Sequence, residues 1–170
     1  DFNYLKYLEL KRADKSDKAL QALQNATRLN PSPELYIEQG RHYWRQDKPN
    51  KAQEAIKAGL QEFPGQGDLV RYLARLFIEQ DKLDNATSLL NVYLRKHGGD
   101  PATVAELGQV YLREERPAKA RELLQSVPQE QRTARIHHLL GRTLLQEDQP
   151  DRAEPHLRSA VEADPGFLQA

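Results

Sequence analysis

The stretch RQDKPNKAQEAI, residues 45–56, decides the fold, because it returns as EQDKLDNATSLL at 79–90, REERPAKARELL at 113–124 and LQEDQPDRAEPHL at 145–157. Each copy is a polar turn running into a helix-forming segment. The alanines Ala19, Ala52, Ala86, Ala120 and Ala153 follow one another at intervals of 33, 34, 34 and 33 residues. Four residues after each stands a bulky aliphatic: Leu23, Ile56, Leu90, Leu124 and Leu157. Three further on come Ala26, Gly59, Tyr93, Val127 and Ala160. Spacing of four and then three keeps one stripe of a helix apolar.

A second stripe precedes the first. Twelve residues before each alanine, in every unit but the first, sits a small residue (Gly40, Ala74, Gly108, Gly141), followed three later by Tyr43, Phe77, Tyr111 or Leu144. Glycine inside a helix costs about 1 kcal/mol relative to alanine. Its return at one register therefore points to close approach of two helix backbones. Each unit reads as a helical hairpin.

Proline punctuates the hairpins. Pro49, Pro117 and Pro150 stand where a second helix starts, a position that needs no N–H; Leu83 takes that place in the third unit. Pro31, Pro64 and Pro165 close units, and Gly98-Gly99 replaces the closing proline of the third as a C-terminal cap. Three departures are expected to matter. Tyr7 fills the small position of the first unit, so its opening helix packs differently or lacks a predecessor. Pro128 stops the fourth unit's second helix near Ser126. Pro155 gives the last helix a late start or a kink.

With V-A-E-L-G-Q-V-Y followed by A-R-E-L-L in the fourth unit, and Y-I-E-Q-G-R-H-Y, A-Q-E-A-I and Pro64 in the second, the chain resembles the tetratricopeptide repeat family. The resemblance covers nearly the whole chain. It implies an all-α fold, a right-handed alpha-alpha superhelix (solenoid) of five helix-turn-helix repeats at about 1–32, 33–66, 67–100, 101–133 and 134–167, forming one array. One hairpin cannot bury its stripe alone, and helices this short are marginal in water, so folding is expected to be array-wide. In such proteins the first helix of each hairpin lines a concave face. Residue 1 falls inside a first helix, and PGFLQA stops where a sixth unit would begin, without a polar capping helix. The expectation is a segment of a longer protein, or an end covered by a partner or a second copy.

Composition removes several function classes. Twenty-five basic and 25 acidic residues cancel among 170, so no global basic field gathers nucleic acid. With no cysteine there is no disulfide, thiolate zinc site or cysteine nucleophile, and cytoplasm and periplasm remain equally open for what reads as a soluble segment. No apolar run suits a membrane span, so direct membrane insertion is not expected. Neighbouring His137 and His138 diverge by about 100 degrees on a helix and make no metal pair. Glu114-Glu115 and Glu147-Asp148 read as solvated charge at helix ends. No phosphate-loop, nucleophile-elbow or zinc-helix pattern occurs. Neither an enzyme nor a cofactor is expected.

What remains is a surface. The residues just after the small positions, Arg41, Arg75, Gln109 and Arg142, should point into the groove, with Arg45 and Arg71 one turn from the first two. Arginine forks suit carboxylates, and Trp44 and Tyr72 offer flat anchors beside them, with His138 on the same side. An acidic or C-terminal peptide is the expected ligand. The competing reading is a plain charged surface, since Glu38 and Glu79 are placed to pair with Arg41 and Arg75. The resemblance also allows comparison with repeats that clamp chaperone tails through lysines, asparagines and an arginine. Here the matching trios are Ile37 and Arg41, Tyr72, then Ala102 and Glu106, or Arg71 and Arg75, Glu106, then Arg135 and Leu139. Neither contains an asparagine, which disfavours that role. The expected function is a protein–protein interaction scaffold holding a peptide in its groove. Self-assembly into a homo-oligomer is the alternative and RNA recognition a remote one, the latter disfavoured by neutral charge and the lack of recurring base-reading residues.

Overall fold

The computed structural model describes residues 2–13 and 16–166, and every regular element among them is helical. Contacts divide the chain into two compact units, residues 1–76 and 77–170. The first holds α1 (Phe2–Arg12), α2 (Ser16–Leu29), α3 (Pro33–Arg45), α4 (Pro49–Glu62) and most of α5 (Gly67–Glu79). The second holds the end of α5, then α6 (Leu83–His97), α7 (Pro101–Arg113), α8 (Pro117–Gln125), a 3-10 turn (Gln129–Gln131), α9 (Ala134–Gln146) and α10 (Pro150–Ala163). In the first unit α2 packs between α1 and α3, and α3 pairs with α4; in the second the chain packs α6 on α7, α7 on α8, α8 on α9 and α9 on α10. Residue 1 and the last four residues of PGFLQA lie outside the described residues.

The helices start and stop for local reasons. Ser32 accepts the Leu35 N–H ahead of α3, Asp100 those of Ala102 and Thr103 ahead of α7, and Thr133 that of Ile136 ahead of α9. α4, α6, α8 and α10 have no such side-chain cap: Pro49, Pro117 and Pro150 open α4, α8 and α10, where the missing donor costs nothing. Between them the chain turns on one left-handed residue per copy, Asp47, Asp81, Glu115 and Asp148, with φ of 55°, 57°, 56° and 57°. The next N–H reaches back to the bulky stripe residue: Lys48 to the Tyr43 carbonyl (3.0 Å), Lys82 to Phe77 (2.9 Å), Arg116 to Tyr111 (2.8 Å) and Gln149 to Leu144 (2.9 Å). These are Schellman turns that use carboxylate residues where glycine is the commoner choice.

The two stripes form the interior. Ala19, Ala52, Ala86, Ala120 and Ala153 have no exposed surface, nor do Leu23, Ile56, Leu90 and Leu124. Full burial of each such aliphatic contributes roughly 1.5–3 kcal/mol. The recurring glycines face these side chains first, and Gly141 also the Ala153 carbonyl, 3.5 Å from where its Cβ would stand. A Cβ on Gly40 would stand 2.8 Å from Ile56 Cδ1, and one on Gly108 2.8 Å from Leu124 Cδ2. On Gly141 it would stand 2.5 Å from Leu157 Cδ2. The small residue is the socket for the aliphatic of the following helix, which sharpens the expectation of plain backbone contact.

The departures resolve individually. Tyr7 is fully buried among Ala19, Ala22, Leu23, Ala26 and Leu35, and its hydroxyl donates to Glu38 Oε2 at 2.8 Å. α8 ends at Gln125 with Ser126 as its cap, before Pro128. Gly98 caps α6 with φ of 83°. α10 starts at Pro150 and runs through Pro155, so its start is not late. One expectation is corrected: Glu114 and Glu147 are not solvated. Their side chains are 10% and 12% exposed, with Thr87 and Arg116 bonded to the first and Arg121 to the second. They stand one residue before the left-handed position, facing the preceding second helix, so a register shared by α6–α7 and α8–α9 draws them inward. No helix of the described residues is long and apolar enough to cross a membrane.

Candidate functional site

In the first unit α3 and the first-unit part of α5, with Tyr4 of α1, build an arginine cavity. The cavity, of about 400 Å³, is lined by Tyr4, Glu34, Ile37, Glu38, Arg41, Asp68, Arg71, Tyr72 and Arg75. Gly40 sets its floor: a Cβ there would stand 3.1 Å from Tyr72 Cε1, so the same missing methyl that seats Ile56 lets the Tyr72 ring lie against α3. Burial first of all pushes the Tyr72 phenol above its ordinary pKa. The Arg41 guanidinium lies over that ring, 5.8 Å from its centre.

Carboxylates hold the arginines in place. Arg41 Nη1 donates to Glu38 Oε1 at 2.7 Å, and Arg71 Nη2 to Asp68 Oδ1 at 2.5 Å. Glu38 also receives Tyr7 Oη and Lys11 Nζ (3.2 Å). Burial alone would raise the Glu38 carboxyl, but hydrogen bonds from Tyr7, Arg41 and Lys11 outweigh it and hold the pKa below the usual range. The buried Tyr7 thus anchors the acid that orients Arg41. Three guanidiniums and three carboxylates face one cavity, and the Arg41 and Asp68 side chains remain 55% and 69% exposed.

The remaining sequence candidates lie elsewhere. Arg45 lines a separate cavity with Lys11, Ser16, Ala19, His42 and Gln46. Trp44 is half-buried and does not line the arginine cavity. Gln109, His138 and Arg142 belong to the second unit. Gln109 Oε1 accepts Arg135 Nη2 at 2.7 Å; Arg135 also grips the buried Glu106 with two bonds, 2.8 and 2.9 Å. His138 is half-buried, and burial first, then the Arg142 charge, push its pKa down. Sequence reasoning did not place Tyr4, Ile37, Glu34 and Asp68 in the site. Their signal was available for Ile37 and Asp68, which precede Arg41 and Arg71 by one helical turn.

No group of three or more histidines, acids or cysteines is placed to hold a metal among the described residues. His137 meets His156 of α10 rather than His138.

Among solved structures the chain is similar to TTC0263, a thermophilic TPR protein of Thermus thermophilus, at 22% identity with a TM-score of 0.73, covering 98% of this chain and 92% of that one. It is similar to MamA at 18% identity and a TM-score of 0.68 over 95% and 96%. A third is YrrB, described as a TPR protein with an unusual peptide-binding site, at 18% and 0.64 over 98% and 87%. No curated protein sequence matches the chain. One tetratricopeptide repeat family model matches residues 43–102 and 85–143, and another matches 134–167. The chain belongs to the tetratricopeptide repeat family, a family of protein-interaction scaffolds.

Proposed function

We propose that this scaffold takes a partner's acidic peptide segment, extended or helical, into the Arg41–Arg71–Arg75 cavity of its first unit. One observation carries the reading: three guanidiniums converge on a single cavity of about 400 Å³ floored by the Tyr72 ring. An incoming carboxylate must compete with Glu38 and Asp68. The Asp68 side chain is 69% exposed, so water already competes for its carboxylate and an incoming acid can take its place. A ligand carboxylate gripped bidentately gains geometry as well as charge. The apolar parts of a peptide have Ile37, Tyr4 and Tyr72 to rest on. The peptide-binding site described for YrrB supports the class of ligand, not its position.

The test is titration of acidic and charge-neutral peptides against the wild type and the Arg41→Glu, Arg75→Glu double variant. The expected result is capture of acidic peptides that weakens with salt and is abolished in the double variant. Unchanged binding by that variant at low ionic strength would refute the cavity.

A second reading, self-assembly, rests on α1, where Phe2 and Leu5 are 77% and 59% exposed. Light scattering over a concentration series decides it; a constant monomer mass excludes association.

A further inference from the structure

Arg41 and Arg45 are one turn apart on α3, yet they open on different cavities. The Arg45 cavity, of about 240 Å³, is lined by Lys11, Ser16, Ala19, His42, Arg45 and Gln46. His42 is 4% exposed. Its Nε2 lies 3.3 Å from Ser16 Oγ and 3.2 Å from Gln46 Nε2, and Gln46 also donates to Ser16 Oγ at 2.9 Å. An amide nitrogen and a hydroxyl beside it suit the tautomer in which Nε2 accepts.

The charges around it are mostly of one sign. Burial first disfavours a proton on His42, then Arg45 of α3, Lys11 of α1 and Lys48 of the turn before α4, and only Asp17 of α2 among its influences favours one. Lys11 is shared with Glu38 at 3.2 Å, whereas Gln46 Oε1 accepts Lys48 Nζ at 2.9 Å. A small polar hollow therefore has two cations, Lys11 and Arg45, a hydroxyl and a buried imidazole in its wall.

We propose that this cavity binds a tetrahedral oxyanion of the phosphate and sulfate class, with Arg45 and Lys11 supplying charge and the Ser16 hydroxyl turning from His42 to the ion. A planar carboxylate offers acceptors in one plane, while these groups come from two helices and a helix end; a tetrahedral ion answers all of them. Binding is linked to His42. An anion offsets the field of Arg45, Lys11 and Lys48, so His42 takes up a proton as the site fills, and by reciprocity the anion binds tighter at acid pH. The peptide reading is not needed for this site.

The probe is sulfate, which stays dianionic from pH 5 to 8, so any pH dependence belongs to the protein. His42 is followed by its imidazole NMR signals as pH is varied, with chloride at matched ionic strength as the control. Sulfate should raise the His42 midpoint, and affinity should rise by the same factor as the midpoint shift. Arg45→Gln, at an exposed position that leaves folding intact, should weaken sulfate about tenfold and remove the midpoint shift. Ser16→Ala should weaken it severalfold. A His42 midpoint that moves no further in sulfate than in chloride overturns the site, as does a shift that survives in Arg45→Gln. Inorganic phosphate and a phosphoserine peptide then separate the sources: a tighter peptide assigns the site to a partner's phosphoryl group, and equal or weaker binding assigns it to the free ion.

Discussion

His137 of α9 and His156 of α10 meet Nδ1 to Nδ1 at 3.2 Å, with ring centres 5.5 Å apart. One proton can occupy that contact, so protonating both rings sets two N–H groups against each other. Burial first, then the Arg132 charge, lowers the His137 pKa; burial, His137, Arg132 and Arg152 lower that of His156. No carboxylate figures among these influences.

Stability should therefore fall with acid. Below an ordinary histidine value of 6.5, the unfolded chain takes protons that folded His137, His156 and His42 refuse. The unfolded state then binds more protons, and stability rises with pH across that window. What is present above pH 6.5 is lost as pH drops toward the folded values. Urea melts at pH 7.5 and 5.5 check it, and His156→Asn should flatten the slope. A slope of opposite sign would exclude the histidine account.

Alanine at the socket glycines should not cost the same everywhere. At Gly40 the first obstacle is Ile56 Cδ1, the movable end of its side chain, while at Gly141 it includes Leu157 Cγ at 2.6 Å. We expect Gly141→Ala to lose about 2–3 kcal/mol and Gly40→Ala about 1–2 kcal/mol, within the range of overpacked cores. Gly40→Ala should also weaken acidic-peptide binding, because the new methyl presses on Tyr72. Denaturant melts and peptide titration read the two effects separately.

Glu115 holds φ of 56°, where a side chain is strained and glycine is not. Glu115→Gly should raise stability by about 0.5–1 kcal/mol, less than the left-handed strain because glycine also frees the unfolded chain. Asp81→Gly should gain less, since aspartate tolerates this region better. A loss in Glu115→Gly would mean that the exposed carboxylate has a structural partner.

Arg135 holds Glu106, a carboxylate 1% exposed, with two hydrogen bonds. Breaking such a pair from one side leaves a buried charge short of its partner, so Arg135→Ala should cost about 3 kcal/mol. Arg135→Lys cannot reproduce the fork and should recover only part. Equal stability of the alanine variant and the wild type in thermal melts would contradict the pairing.

Several features were readable one residue at a time. The prolines opening α4, α8 and α10, the stop before Pro128 and the Gly98 cap follow from backbone chemistry that needs no neighbours. The left-handed turn was hidden because aspartate and glutamate stand where glycine would announce it. Of the surface candidates, Arg41, Arg71, Tyr72 and Arg75 share one cavity, and Arg45 does not join them. Spacing along a helix gives the face a side chain is on; what the adjacent helix brings to that face decides which cavity it enters.

The sequence by itself determined the helical hairpins, their beat and the register of the small residues, because these depend on periodicity and on residue size at a fixed register. Only the tertiary structure decided that Tyr7 steadies Arg41 through Glu38, and that His137 faces His156 instead of His138. Those pairings join helices whose relative rotation is set by packing, and no local rule of spacing contains it.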